Sequence, residues 1–240
     1  MDYRVKMKSL DKIFEKILSA RLQDLYNDLY LLDIMCEIGI LTGLHDHMGI
    51  LADRPEPNDF FVSSYHNIHD KECVSPDGFM MQKRVEVLEF IKYVRNKKIQ
   101  SYCEVGIGKG GLFILMTALL MRYNKSFRLS VAVEPKDTDL DFIGNYCELD
   151  YFCTSEEVCE DEKFDLCFID GEHTYDWIKR DWKGVGLKSK IAAFHDIKHQ
   201  ALPGVMEGWK EIFRDLPSFE IVHSPFDVMG IGIAINREPV

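Results

Sequence analysis

Between residues 101 and 235 the chain alternates short apolar runs with segments of helical periodicity, and this alternation constrains the fold more than any other feature. The runs at 101–105, 129–134, 151–153, 164–170 and 191–194 read as strands. The segments at 111–123, 175–184 and 204–215 read as helices. Repeated strand–helix–strand order predicts right-handed βαβ units and a mostly parallel sheet. Two further strands are expected at 219–223 and 229–235, separated only by 224–228. That connection is too short for a parallel crossover, so an antiparallel pair is expected there. The fold class expected is α/β and Rossmann-like: a mostly parallel seven-stranded sheet with an antiparallel last strand.

Upstream, residues 10–45 place Ile13, Ile17, Leu22, Leu25, Leu29 and Leu32 at near-helical spacing, with Asp11 at a start and Gly39 and Gly43 at an end. We read 1–50 as an N-terminal helical extension, either a cap on the main domain or an element of a homo-oligomer. Residues 51–79 carry Pro55, Pro57, Pro76, Asn58 and Asn67 and are expected to form a loop or lid, with Tyr65, His66 and His69 facing a substrate. Helical spacing returns over 80–97, and 80–240 is expected to be the main domain.

Composition narrows the function. A net charge of -11 disfavours a general phosphate-binding surface, so no nucleic-acid partner is expected. Seven scattered cysteines without a Cys-x-x-Cys pair suit reduced thiols and a cytoplasmic location. The longest apolar stretch, 112–121, is too short to span a bilayer, so no membrane partner is expected.

Three constellations could carry chemistry. The first is CEVGIGKGG, 103–111, set between a strand and a helix. Gly106 and Gly108 allow a tight turn and close approach to a ligand, and Gly110 allows the helix to start against the strand. The spacing Gly106-x-Gly108-x-x-Gly111 also satisfies the dinucleotide fingerprint, so the loop alone does not separate two nucleoside cofactors. Glu104 at the strand end would repel a pyrophosphate and attract a sulfonium or ammonium. Glu134, ending the next strand, can accept hydrogen bonds from ribose hydroxyls.

The second is FDLCFIDGEHTYDWIKRDW, 164–182, which delivers Asp170 and His173 to the carboxyl edge of the sheet, where ligands bind in open α/β folds. The third is AAFHDIKH, which delivers His195 and Asp196 to the same edge. Carboxylates and imidazoles converging there suit either a divalent cation or a general base.

The order EVGIGKGG, VEP, FIDGEHTYDWIKRD and AFHDI, with Pro-Gly-Val and Trp209 beyond, resembles class I S-adenosylmethionine-dependent methyltransferases. It is most similar to the branch of rhamnosyl and macrolide-sugar O-methyltransferases and cephalosporin-hydroxylase-like proteins, over roughly 80–235. The resemblance implies S-adenosyl-L-methionine as cofactor. Glu104, Gly106 and Gly108 would hold its methionine end, Glu134 its ribose, and Thr154 or Ser155 its adenine. It further implies Mg2+ or Mn2+ on Asp170, His195 and Asp196, where His195 replaces a carboxylate and favours softer divalent ions. His173 falls at the position of a catalytic base. The acceptor implied is a small molecule or glycan, with a sugar hydroxyl foremost. An NAD-dependent oxidoreductase and a non-catalytic cofactor-binding module are the rival readings.

Overall fold

A computed structural model describes residues 3–42, 82–135, 140–222 and 229–236. The expected loop at 51–79, with Tyr65, His66 and His69, lies outside the described residues, as does Gly43. Helices α1 (Tyr3–Ser19), α2 (Asp28–Thr42) and α3 (Arg84–Val94) precede the sheet. Then follow β1 (Ser101–Val105), α4 (Gly111–Tyr123), β2 (Leu129–Val133), β3 (Glu148–Phe152), β4 (Phe164–Ile169) and α5 (Tyr175–Asp181). The chain ends with β5 (Ser189–Phe194), α6 (Pro203–Asp215), β6 (Ser218–Ile221) and β7 (Ile231–Ile235).

The seven strands form one sheet in the order β3-β2-β1-β4-β5-β7-β6. The first five pair in parallel, and β7 runs antiparallel to both β5 and β6. Strands β1, β2 and β4 are buried throughout, as expected of strands covered on both faces. Side-chain alternation then splits the core into two layers. Tyr102, Ala132, Leu166 and Phe168 pack toward α1–α4, while Cys103, Val105, Cys167 and Ile169 pack toward α5 and α6 through Ile178, Val205 and Trp209. Strand order reverses between β1 and β4, which makes their carboxyl ends the topological switch point.

The single helix read over 10–45 is instead two helices, broken by a short turn at Asp24–Tyr26. Asp11 lies inside α1 and Gly39 inside α2 rather than at helix ends. The break is built in. Arg21 pairs with Asp24 at 2.7 Å, and the Asn27 side chain accepts the Tyr30 N–H at 3.2 Å, capping α2. Leu25 is fully buried, and the Tyr123 hydroxyl donates to its carbonyl at 2.8 Å. Apolar spacing continued through the turn because Leu22 and Leu29, exposed at 45% and 73%, do not serve the core. No described helix is long and apolar enough to cross a membrane.

Candidate active site

The carboxyl ends of β1, β2, β4 and β5 open into a cavity of about 550 Å3. Backbone pairing continues past the strand ends and sets its walls. Gly106 N–H donates to the Val133 carbonyl at 2.8 Å, Asp170 N–H to Val105 at 2.9 Å, and His195 N–H to Ile169 at 3.1 Å. Gly106 adopts φ 80°, and a Cβ there would lie 2.1 Å from the Asp170 carbonyl oxygen. No residue other than glycine fits between the two loops. Gly106, Gly108, Glu134, Thr154, Ser155, Asp170, His173, His195 and Asp196 all line this cavity, which brings most of the residues expected from the sequence to one place. Glu134 is held by the Gly108 N–H at 2.9 Å, which orients its carboxylate at the end of β2.

Glu104 and Gly110 are placed differently. Glu104 shares a sheet face with Tyr102, whose hydroxyl donates to it, and only 1% of it is exposed. It is outside the cavity lining, and burial pushes its carboxyl up to about 8. A largely protonated acid presents little charge to a ligand at neutral pH, so the electrostatic choice between sulfonium and pyrophosphate does not rest on it. Gly110 caps α4 at φ 77° beneath Leu140, a packing position outside the lining.

At the β4–β5 end, two acids and two imidazoles interlock. His195 Nδ1 is 3.2 Å from Asp170 Oδ1 and 3.4 Å from Asp196 Oδ1. His173 Nε2 is 3.2 Å from Asp196 Oδ2 and 3.6 Å from Asp170 Oδ1. The carboxylates hold the His173 imidazole up at about 10 despite burial, and the imidazoles hold both acids below the usual carboxylate range. Ligand atoms of Asp170, His195 and Asp196 lie within 4.8 Å of one another. His195 Nε2 and Asp196 Oδ1 are buried with no hydrogen-bond partner among the described residues. With His195 neutral, its unpartnered Nε2 beside the carboxylates of Asp170 and Asp196 makes a donor set that a divalent cation fits.

Further residues that the sequence reading did not single out contribute to the site. Gln82, just before α3, donates its amide to Asp170 Oδ2 and is 3% exposed. Half-buried Lys83 follows, with Asp196 and Glu86 as counter-charges, and Glu86 accepts the Gly230 N–H at 3.1 Å. Asp181, at the end of α5, lines the cavity and accepts the Ser155 hydroxyl at 2.6 Å.

This architecture is the Rossmann-like fold of class I S-adenosylmethionine-dependent methyltransferases. The O-methyltransferase NovP superposes with a TM-score of 0.54 at 11% identity, covering 88% of this chain and 100% of its own. The SAH-bound methyltransferase PaMTH1 of Podospora anserina gives 0.51 at 13% identity, covering 80% and 94%. CalS11, a TDP-rhamnose 3'-O-methyltransferase of calicheamicin biosynthesis, gives 0.50 at 14% identity, covering 83% and 95%. No protein-family model matches the chain, and no curated sequence matches it significantly.

Proposed function

We propose that this chain is an S-adenosylmethionine-dependent O-methyltransferase, with 80–240 as its catalytic domain, acting on a hydroxyl of a sugar or glycan with divalent-metal assistance. One observation carries the reading: the glycine loop with Glu134 and the Asp170–His173–His195–Asp196 group line a single cavity. A nucleoside cofactor and an acid–base centre therefore share one space.

The chain's own residues divide the work. Gly106 and Gly108 let the backbone approach the cofactor, and Glu134, fixed by the Gly108 N–H, accepts from the ribose hydroxyls. Thr154 and Ser155 border the base, and Asp170 closes the methionine end. Glu104 stays outside this lining, held by the Tyr102 hydroxyl. S-adenosylmethionine, when bound, supplies an electrophilic methyl group. Asp170, His195 and Asp196 would hold the cation, which supplies Lewis-acid polarisation of the acceptor hydroxyl. His173 Nε2 faces the same centre and takes the hydroxyl proton. It can do so only when the charge of Asp170 and Asp196 is offset, because the unshielded acids keep the imidazole protonated. Burial of His195 and Asp196, each 3% exposed, excludes water from this corner. Holding acceptor and methyl donor in line is worth roughly 7–11 kcal/mol of the barrier.

The sugar acceptor is supported by the resemblance of the DGEH and HD segments and by the fold shared with CalS11. A screen of free and nucleotide-linked sugars, read by methyl transfer with and without EDTA, tests acceptor and metal together. Transfer to a catechol but to no sugar would overturn the acceptor assignment. Full activity in EDTA would overturn the metal.

A further inference from the structure

Gln82 is a buried amide that the methyl-transfer reading leaves unused. It stands two residues before α3, is 3% exposed, and donates from Nε2 to Asp170 Oδ2. Despite burial, the imidazoles of His195 and His173 keep Asp170 ionised, and an ionised carboxylate only accepts hydrogen bonds. The half of the amide that meets it is therefore the NH2 group. The other half, Oε1, is buried with no hydrogen-bond partner among the described residues. A half-satisfied buried amide costs the fold free energy that an apolar side chain of the same shape would not. Stability alone therefore does not favour glutamine at this position, whereas the bond to Asp170 requires a donor there.

The helix behind Gln82 fixes its approach. Val87, Phe90, Ile91 and Val94 bury α3 in the core. The Phe90 ring packs on Phe168 of β4 at 5.5 Å between centroids, and Phe168 lies 6.3 Å from the His195 ring. Glu86 accepts the Gly230 N–H at 3.1 Å, one residue beyond Met229 of the cavity wall. The chain entering α3 is thus held against the same strand that delivers Asp170. A polar group carried at the start of an anchored helix holds its partner more precisely than one on a free loop.

This contact divides the two oxygens of Asp170. Oδ1 lies 3.2 Å from His195 Nδ1 and 3.6 Å from His173 Nε2. Oδ2 belongs to Gln82. With Oδ2 tied, the carboxylate does not swing, and Oδ1 stays toward the centre where donor atoms of Asp170, His195 and Asp196 gather within 4.8 Å. We infer that Gln82 is a positioning residue for the cation centre: its amide holds the Asp170 carboxylate in the orientation that binds a divalent ion, and so tightens that ion. This rests on the metal assignment above and extends it to a residue outside the donor set.

The test is Mn2+ binding to the full chain without cofactor, read from the electron paramagnetic resonance signal of the free ion, with urea unfolding in EDTA as the measure of folding. Gln82→Met keeps length and bulk and removes the donor. Gln82→Asn keeps an amide but withdraws it by one methylene. Each should raise the Mn2+ Kd by about 10–100-fold, the range for losing a hydrogen bond that orients a metal ligand. Val94→Ala, which removes packing at the far end of the same helix, should lower the urea midpoint and leave the Mn2+ Kd within about twofold. A Kd within about twofold of wild type in either folded Gln82 variant would overturn the inference and leave the metal assignment standing. So would an equal loss of Mn2+ affinity in Val94→Ala, which would trace the effect to general loosening of the helix. Failure of both Gln82 variants to fold in EDTA would assign Gln82 to the fold and overturn the inference likewise. A wild type that binds no Mn2+ would overturn the metal assignment, and the inference with it.

Discussion

His173 Nε2 stands 3.2 Å from Asp196 Oδ2, joining the loop after β4 to the loop after β5. One imidazole therefore contacts acids delivered by two neighbouring strands. His173→Ala should lower single-turnover methyl transfer by about 10²–10⁴-fold, the range for losing a general base. S-adenosylhomocysteine affinity should stay within about twofold, because His173 is not assigned to the cofactor. Turnover that survives in this variant removes His173 as the base.

Cation binding should appear in stability as well as in rate. At Mn2+ about 100-fold above its Kd, linkage adds about 2.7 kcal/mol. For a domain of this size that raises Tm by about 5–10 °C. Asp196→Asn should abolish most of the rise, and thermal scans of both proteins with and without EDTA measure it. No Mn2+-dependent shift in the wild type would argue against a site at Asp170, His195 and Asp196.

Glu104 should make stability fall as pH rises. Its carboxyl sits at about 8 in the folded chain against 4.5 for the ordinary group. Between those values the folded state binds more protons than the unfolded state, so stability declines across that window and levels off above it. The loss could reach about 4–5 kcal/mol. Glu104→Gln keeps an acceptor for Tyr102 and removes the titration, so its urea midpoint should vary less between about pH 5 and 8. Parallel profiles for the two proteins would contradict the placement of Glu104.

Gly106→Ala should destabilise the fold by roughly 3 kcal/mol or more, combining a positive φ with overpacking. The added methyl meets the Asp170 carbonyl, which the backbone cannot move without shifting β4. Denaturant unfolding measures the cost, and cofactor binding should be lost in whatever fraction remains folded.

Residues whose burial is apolar were readable in the chain. Strands such as β4, FDLCFI, announce themselves because both faces are covered, and the polar residue that ends each one falls at the ligand edge. That is why Asp170, His173, His195 and Asp196 could be placed together. Gln82 was invisible because a buried amide reads like a solvated one in a helical pattern. Asp181 was hidden likewise, since its partner Ser155 lies 26 positions away. Glu104 was placed at the right strand end, and its sheet face, shared with Tyr102 rather than Val105, follows from strand alternation that the sequence reading did not apply to it. The turn at Asp24–Tyr26 escaped because two exposed leucines continued the helical rhythm.

Asp196 adopts φ 60°, the only positive value outside glycine among the described residues. A side chain in that region costs the fold on the order of 1 kcal/mol, which glycine would not incur. The strained backbone places a carboxylate beside His173 and His195. Glycine would relieve the strain and at the same time remove a buried partner of both imidazoles, a loss of about 3–5 kcal/mol that outweighs it. The unusual backbone here is thus held in place by the charges packed around it.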